Sequence, residues 1–246
     1  MNNVEKAPSV PRLAATVMIV RDEPHGMSVY LTRRSARSRF MPDAYVFPGG
    51  AVDAADAAPE ARARLIAGGP RNGALAVAAA REVFEEAGLL LARRSDATIA
   101  PPDATVLADL REALAAGTPF AALLQRAELV IDAADIVPYS QWITPESEPL
   151  RFDTHFFIAR APAGQVAAAD AIEVHDGRWM RPRDALAAAA ASDIVVRYPT
   201  RKHLERLAGM ENVAAALAAA RMRRMRPVLA VERDGTIDLG ACGDGW

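Results

Sequence analysis

Cysteine is all but missing from this chain of 246 residues: Cys242, in a Gly-rich tail, is the only one. Neither an intrachain disulfide framework nor a cysteine-based metal site can be built, which points to a reducing, cytoplasmic setting. Charge of one sign is lacking too. Lys and Arg number 29 against 31 Asp and Glu, a formal net charge of −2, and the two signs are mixed along the chain. That leaves no electrostatic footprint for nucleic acid or an anionic membrane. No apolar run approaches the ~18 residues of a membrane span, and the opening MNNVEKAPSVPRLAA has no signal-peptide core. The class that remains is a soluble protein without a large polyanion as partner. Its oligomeric state is not legible, and a homodimer stays open.

What is present is a hydrophobic half, 51% of residues. This suffices for one sizeable α/β unit with extensions, or two small ones. Residues 12–22 and 27–34 are β-branched runs flanking the turn EPHG and predict a hairpin. A basic loop, a short strand AYVF and the glycines of PGG (48–50) follow. Residues 53–71 are rich in Ala, Gly and Pro and suggest a surface excursion. A helix is expected from about Gly73 to Ala87, with Gly88 as its stop. Beyond it, residues 102–117 and 118–128 read as two short helices, the second capped by Thr118. Strands over 136–144 and 151–159, a strand and helix over 177–192, two helices over 199–225 and a last strand complete the pattern. The Ala tracts at 165–191 and 214–220 read as helix filler.

The segment AAAREVFEEAGLLL (78–91) carries the chemistry. At ~100° per residue, Glu82, Glu85 and Glu86 share one arc of the helix, with Ala76, Ala80, Val83, Phe84 and Ala87 opposite. A plain solvated face would interleave Lys or Arg at i+4; here the neighbours are apolar. A hard divalent cation is the natural counter-charge, since Mg²⁺ takes oxygen ligands and leaves positions for water and substrate phosphates.

REVFEEAGL (81–89) resembles the second half of the Nudix box, G-x5-E-x7-R-E-U-x-E-E-x-G-U with U aliphatic, and Arg81, Glu82, Val83, Glu85, Glu86, Gly88 and Leu89 satisfy it. Gly50 of FPGG is assigned as the box glycine. It lies 31 residues before Arg81 where the pattern asks for 14, so about 17 are inserted. Counted back from Arg81, the early acidic position holds Gly73. LTRRSARSRFMPDAYVFPGGAVD (31–53) is similar to the stretch preceding the box in coenzyme A diphosphatases. The long box insertion, FEEAGLLL and WITPESEPLRFDTHFFIA look like the peroxisomal acyl-CoA diphosphatase branch and its bacterial relatives.

The resemblance implies a Nudix α/β/α sandwich with a mixed sheet. Residues 12–232 would form one domain between tails 1–11 and 233–246. It would carry a box insertion at about 53–71, a helical insertion at about 101–128 and C-terminal helices at about 199–225. It implies Mg²⁺ or Mn²⁺ held by Glu82, Glu86 and the carbonyl of Gly50. Glu85 would be a further ligand or the base, with Arg81 orienting the carboxylates. Gly49 and the arginines Arg34, Arg37 and Arg39 would take substrate, their forked guanidinium groups suiting phosphates. The implied reaction is hydrolysis of a phosphoanhydride, with coenzyme A or acyl-CoA giving 3′,5′-ADP and a phosphopantetheine. The alternatives are an ADP-ribose or dinucleotide polyphosphate hydrolase, and a non-catalytic ligand sensor, whose usual mark would be a lost carboxylate.

Overall fold

The two β-branched runs form the expected hairpin, β1 (Arg12–Glu23) and β2 (Gly26–Arg34), but they stay paired only near the turn, from Val20↔Val29 to Glu23↔Gly26. Further along they splay apart. The gap is filled by β3 (Ala44–Val46), which pairs with β2, and β4 (Gly49–Ala51), which pairs with β1 at residues 14–16. The glycines therefore sit where the sheet opens. In this computed structural model the described residues are 9–38, 41–66, 70–96, 102–170, 173–229, 231–233 and 236–238.

A 3-10 turn (Ala54–Ala57), α1 (Pro59–Arg62) and β5 (Leu65–Ile66) lead into α2 (Pro70–Ala87), which begins three residues before the expected start. After β6 (Arg93–Arg94) come α3 (Ala104–Ala115) and α4 (Phe120–Arg126). Thr118 is not the cap of α4; Pro119 holds that position, without a side-chain hydrogen bond. Then follow β7 (Leu129–Asp132), β8 (Val137–Ile143), β9 (Phe152–Arg160) and β10 (Val174–Met180). The chain continues through α5 (Pro182–Ala190), β11 (Val195–Val196), α6 (Tyr198–Leu207), α7 (Val213–Arg221) and β12 (Pro227–Leu229).

The main sheet is mixed, in the order β11-β3-β2-β1-β9-β8-β12, with β10 on β2 and β4 on β1. The pairs β1–β9, β11–β3 and β12–β8 are parallel. Strand alternation sends Ala15, Val17, Ile19 and Phe157 to the face covered by α2, α3 and α4, and Met18, Val20, Phe156 and Ile158 to the face covered by α5–α7. The result is an α/β/α sandwich.

Residues 53–71 are more than a surface excursion. Ala61 is buried in the α2 core, Leu65 packs on it, and Leu65–Ile66 pair in parallel with Ile131–Asp132 of β7. The Ala tract is also only partly helical. Residues 165–170 are irregular chain, tied to the end of α2 by Ala168 N–H to Ala87 O (2.9 Å) and by Gln165, whose amide exchanges hydrogen bonds with Leu90.

On the α6 face, His203 is fully buried and stacked on Phe156, centroids 4.1 Å apart. Its Nδ1 lies 2.6 Å from the Pro199 carbonyl, which can only accept, so Nδ1 carries the proton and Nε2 accepts from the Ser140 hydroxyl at 2.7 Å. Burial pushes its pKa down to about 3. The ordinary value is ~6.5, so between pH ~6.5 and ~3 the unfolded chain binds the extra proton. The stabilisation is complete above that window and is lost as pH falls through it, at ~1.4 kcal/mol per unit. Urea unfolding at pH 6.5 and 5 should show wild type losing ~2 kcal/mol more than His203→Asn. Equal pH slopes would show that the buried ring is not neutral.

Candidate active site

Arg81 organises the carboxylates. It is 9% exposed, and each of its five N–H groups has an acceptor. Nε and Nη2 bond Asp56 in a fork (both 3.0 Å), Nη2 also reaches the Ala51 carbonyl (3.0 Å), and Nη1 bonds Glu82 (2.9 Å) and Glu85 (2.8 Å). The helix thus ties itself to the strand and turn in front of it.

Asp56 corrects the box alignment. Counting back from Arg81 placed Gly73 at the early acidic position, but Asp56 stands six residues after Gly50, the forward spacing of the pattern, and braces Arg81. The extra residues lie between Asp56 and Arg81, where 24 stand in place of seven. Counting forward from the glycine would have found it in the sequence. Asp56 is 2% exposed and also accepts from Asp53 N–H at 2.8 Å, which closes the turn.

Glu82 and Glu86 lie against the glycine strand. Gly49 N–H donates to Glu86 at 3.1 Å, and a Cβ on Gly50 would stand 2.5 Å from a Glu82 oxygen. Only glycine permits that approach; a Cβ on Gly49 would likewise meet the Ala15 carbonyl at 2.4 Å. Burial pushes Glu82 up to about 7 against the pull of Arg81. It pushes Glu86 well above the usual carboxylate range, the charge of Glu82 adding to it while Gly49 N–H and Arg34 offset part. Glu85 is raised by burial and held down by Arg81; its side chain is 35% exposed, faces Arg81, and does not line the cleft.

Two buried carboxylates, both raised by burial and Glu86 also by the charge of Glu82, are short of positive charge, and a divalent cation between them fits that deficit. Among the described residues no three His, Cys, Asp or Glu side chains converge at cation-holding spacing. Backbone oxygen, water and substrate phosphate would supply the other positions, as Mg²⁺ favours.

Glu82 and Glu86 border a cleft of about 610 Å³. Its floor is the α6 face of two parallel strands, where Arg12 is level with Phe152, Ala14 with Thr154 and Thr16 with Phe156. Trp142 and Tyr198 add aromatic wall. Of the basic loop, Arg34 lines the cleft, hydrogen-bonded to Ser38. Arg37 is exposed and away from it, and Arg39 lies outside the described residues. Glu173, missed in the sequence, also lines the cleft, and its charge helps raise Glu82, Glu85 and Glu86. No local motif marks it. It arrives because β10 pairs with the end of β2, Val174 opposite Arg34, with Ser35 N–H on the Glu173 carbonyl at 3.0 Å.

A split mixed sheet with a glycine strand lying on helix-borne carboxylates is Nudix architecture. The crystal structure of a NUDIX hydrolase from Alicyclobacillus acidocaldarius shares it, with a TM-score of 0.76 and 29% identity, over 88% of this chain and 99% of that one. The family described as NUDT19 Nudix domain matches residues 66–207, and the chain belongs to it. It is 29% identical to the acyl-coenzyme A diphosphatase NUDT19 of Gallus gallus, over 84% of this chain and 69% of that one. It is 27% identical to the putative nudix hydrolase 7 of Caenorhabditis elegans over 75% of this chain, and spans 57% of that relative's length. Among the described residues no helix is long and apolar enough to cross a membrane.

Proposed function

We propose that the chain hydrolyses the phosphoanhydride of coenzyme A or an acyl-CoA, giving 3′,5′-ADP and a phosphopantetheine or its acyl form. The observation that carries this is the buried Glu82–Glu86 pair, held by Arg81 and Gly49 at one end of a cleft that also presents Arg34 and an aromatic wall. A substrate with a diphosphate, a nucleoside and a long organic arm uses all three. The relative in Gallus gallus carries the same activity in its name.

Glu82 and Glu86 hold Mg²⁺ or Mn²⁺, with the carbonyl of Gly50, which keeps a lone pair beyond its ladder bond. When bound, the cation lowers the pKa of water and offsets charge on the displaced phosphate. Arg81 fixes the carboxylates so that they need not reorganise. Glu85, at the open edge of the cluster, is a further ligand or the base that receives the proton of the attacking water. Arg34, beside Glu86, and Gly49 position the diphosphate; Arg37 and Arg39 belong to the same loop. The catalytic unit is residues 12–232 with its two insertions and C-terminal helices, cytoplasmic, and compatible with a homodimer. The carboxylates that a non-catalytic sensor would have lost are all present.

The test is a panel of coenzyme A, acyl-CoA, ADP-ribose and dinucleotide polyphosphates with Mg²⁺ or Mn²⁺, scored by product mass. Coenzyme A compounds should be cut fastest, releasing 3′,5′-ADP. Faster cleavage of ADP-ribose would replace this reading by the broader diphosphatase one.

A further inference from the structure

Some arginines on this surface are neutralised by carboxylates. Arg33 pairs with Asp43, Arg160 with Asp22, Arg178 with Asp176 and Arg181 with Asp184. Arg12 and Arg197 differ on two counts. Both line the cleft, and neither forms an ion pair with a carboxylate among the described residues. They come from different elements. Arg12 lies on the floor, level with Phe152; Arg197 immediately precedes α6, whose first turn also borders the cleft. The positive end of that helix adds to the same field.

The place of Arg12 along the cleft is set by register, and that of Arg197 by its neighbour Tyr198, whose ring lies 6.1 Å from that of Trp142, the residue level with Thr154 and so with Ala14. Thr16 is opposite Gly49, and Arg12 is four residues further along β1, ~13 Å at 3.3 Å per residue. The cleft therefore has an acidic end, where a cation and a diphosphate fit, and a second end beyond Ala14, Thr154 and Phe152 where two arginines stand with one carboxylate, Glu148 of the loop after β8. Arg34 stands at the acidic end, close enough to Glu86 to offset its charge, so it suits the diphosphate and not a more distant anion.

We infer that Arg12 and Arg197 form a second anion subsite, which takes a phosphate monoester on the nucleoside part of the substrate, the 3′-phosphate if that substrate is a coenzyme A. Two guanidinium groups that line one cavity without a carboxylate partner supply donors enough for a dianion with three acceptor oxygens. The inference rests on the proposed reading for the identity of the substrate.

The experiment separates binding from turnover. Calorimetry with Mg²⁺ present should show 3′,5′-ADP binding about tenfold or more tighter than 5′-ADP, and Arg12→Ala and Arg197→Ala should each remove most of that difference. In kinetics the same variants should raise KM for coenzyme A with kcat little changed, and leave 3′-dephospho-coenzyme A unaffected. Arg12→Lys should restore part of the effect. Equal binding of the two nucleotides, or variants that weaken both alike, overturns the subsite even if coenzyme A is hydrolysed. Preferential, arginine-dependent binding of 3′,5′-ADP without hydrolysis of coenzyme A supports the subsite and removes the hydrolase reading instead.

Discussion

Exchange of Glu86 for Gln is expected to leave a folded protein whose turnover is lower by at least ~100-fold. The two side chains are near-isosteres, and the Gln carbonyl can accept from Gly49 N–H as the carboxylate does at 3.1 Å. What changes is charge. Glu86 is 2% exposed and raised well above the usual carboxylate range by burial and by Glu82, so its ionised form is held at a cost until a cation arrives. Gln carries no such cost. Without added metal the variant should therefore unfold at the same temperature as wild type or higher, whereas Mg²⁺ should raise the Tm of wild type and not of the variant. Glu82→Gln should behave alike, with a smaller gain in metal-free stability because Arg81 already compensates Glu82. Near-normal turnover, or equal stabilisation of wild type and Glu86→Gln by Mg²⁺, would remove Glu86 from the metal site.

Where the sequence was legible, the information was local. β1 and β2 follow from β-branched runs on either side of the turn at Pro24 and His25, and α2 from a run of Ala, Val and Phe with one acidic arc and Gly88, at φ +66°, as its stop. The carboxylate set was readable for the same reason, since a helix wheel needs only neighbours. What escaped depends on partners far along the chain. Glu173 joins the cluster because its neighbour Val174 pairs with Arg34, Arg12 and Arg197 come to one cleft from distant parts of the chain, and β5 exists because Ile131 lies beside Leu65. Alanine at 167–169 has high helix propensity, yet the segment is held as irregular chain by hydrogen bonds to Ala87 and Leu90. Asp56 is an intermediate case. Its spacing was in the sequence, but only the fork onto Arg81 shows which end of the pattern to count from.

Asp56 also carries the largest expected effect of a single substitution on stability. Removing its carboxylate in Asp56→Ala orphans Arg81 Nε and one N–H of Nη2 in a site where Arg81 is 9% exposed, while Glu82 and Glu85 still hold Nη1. Breaking a buried ion pair from one side is costly because the other charge stays buried; with part of the compensation retained, a loss of roughly 3 kcal/mol is expected in urea unfolding. The companion Arg81→Met should recover part of this in the double variant, since it takes away the stranded charge, although it will not restore turnover. The same logic reverses what loop entropy alone suggests for residues 54–72. Closing a shorter loop is nearly free, but a Gly/Ser connector there also deletes the Asp56 fork, the buried Ala61 and the Leu65–Ile131 pairing. That variant should lose cooperative unfolding or most of its stability. An Asp56→Ala protein within ~0.5 kcal/mol of wild type would mean that the fork onto Arg81 does not hold the turn to the helix, and that Arg81 is positioned by Glu82, Glu85 and the Ala51 carbonyl alone.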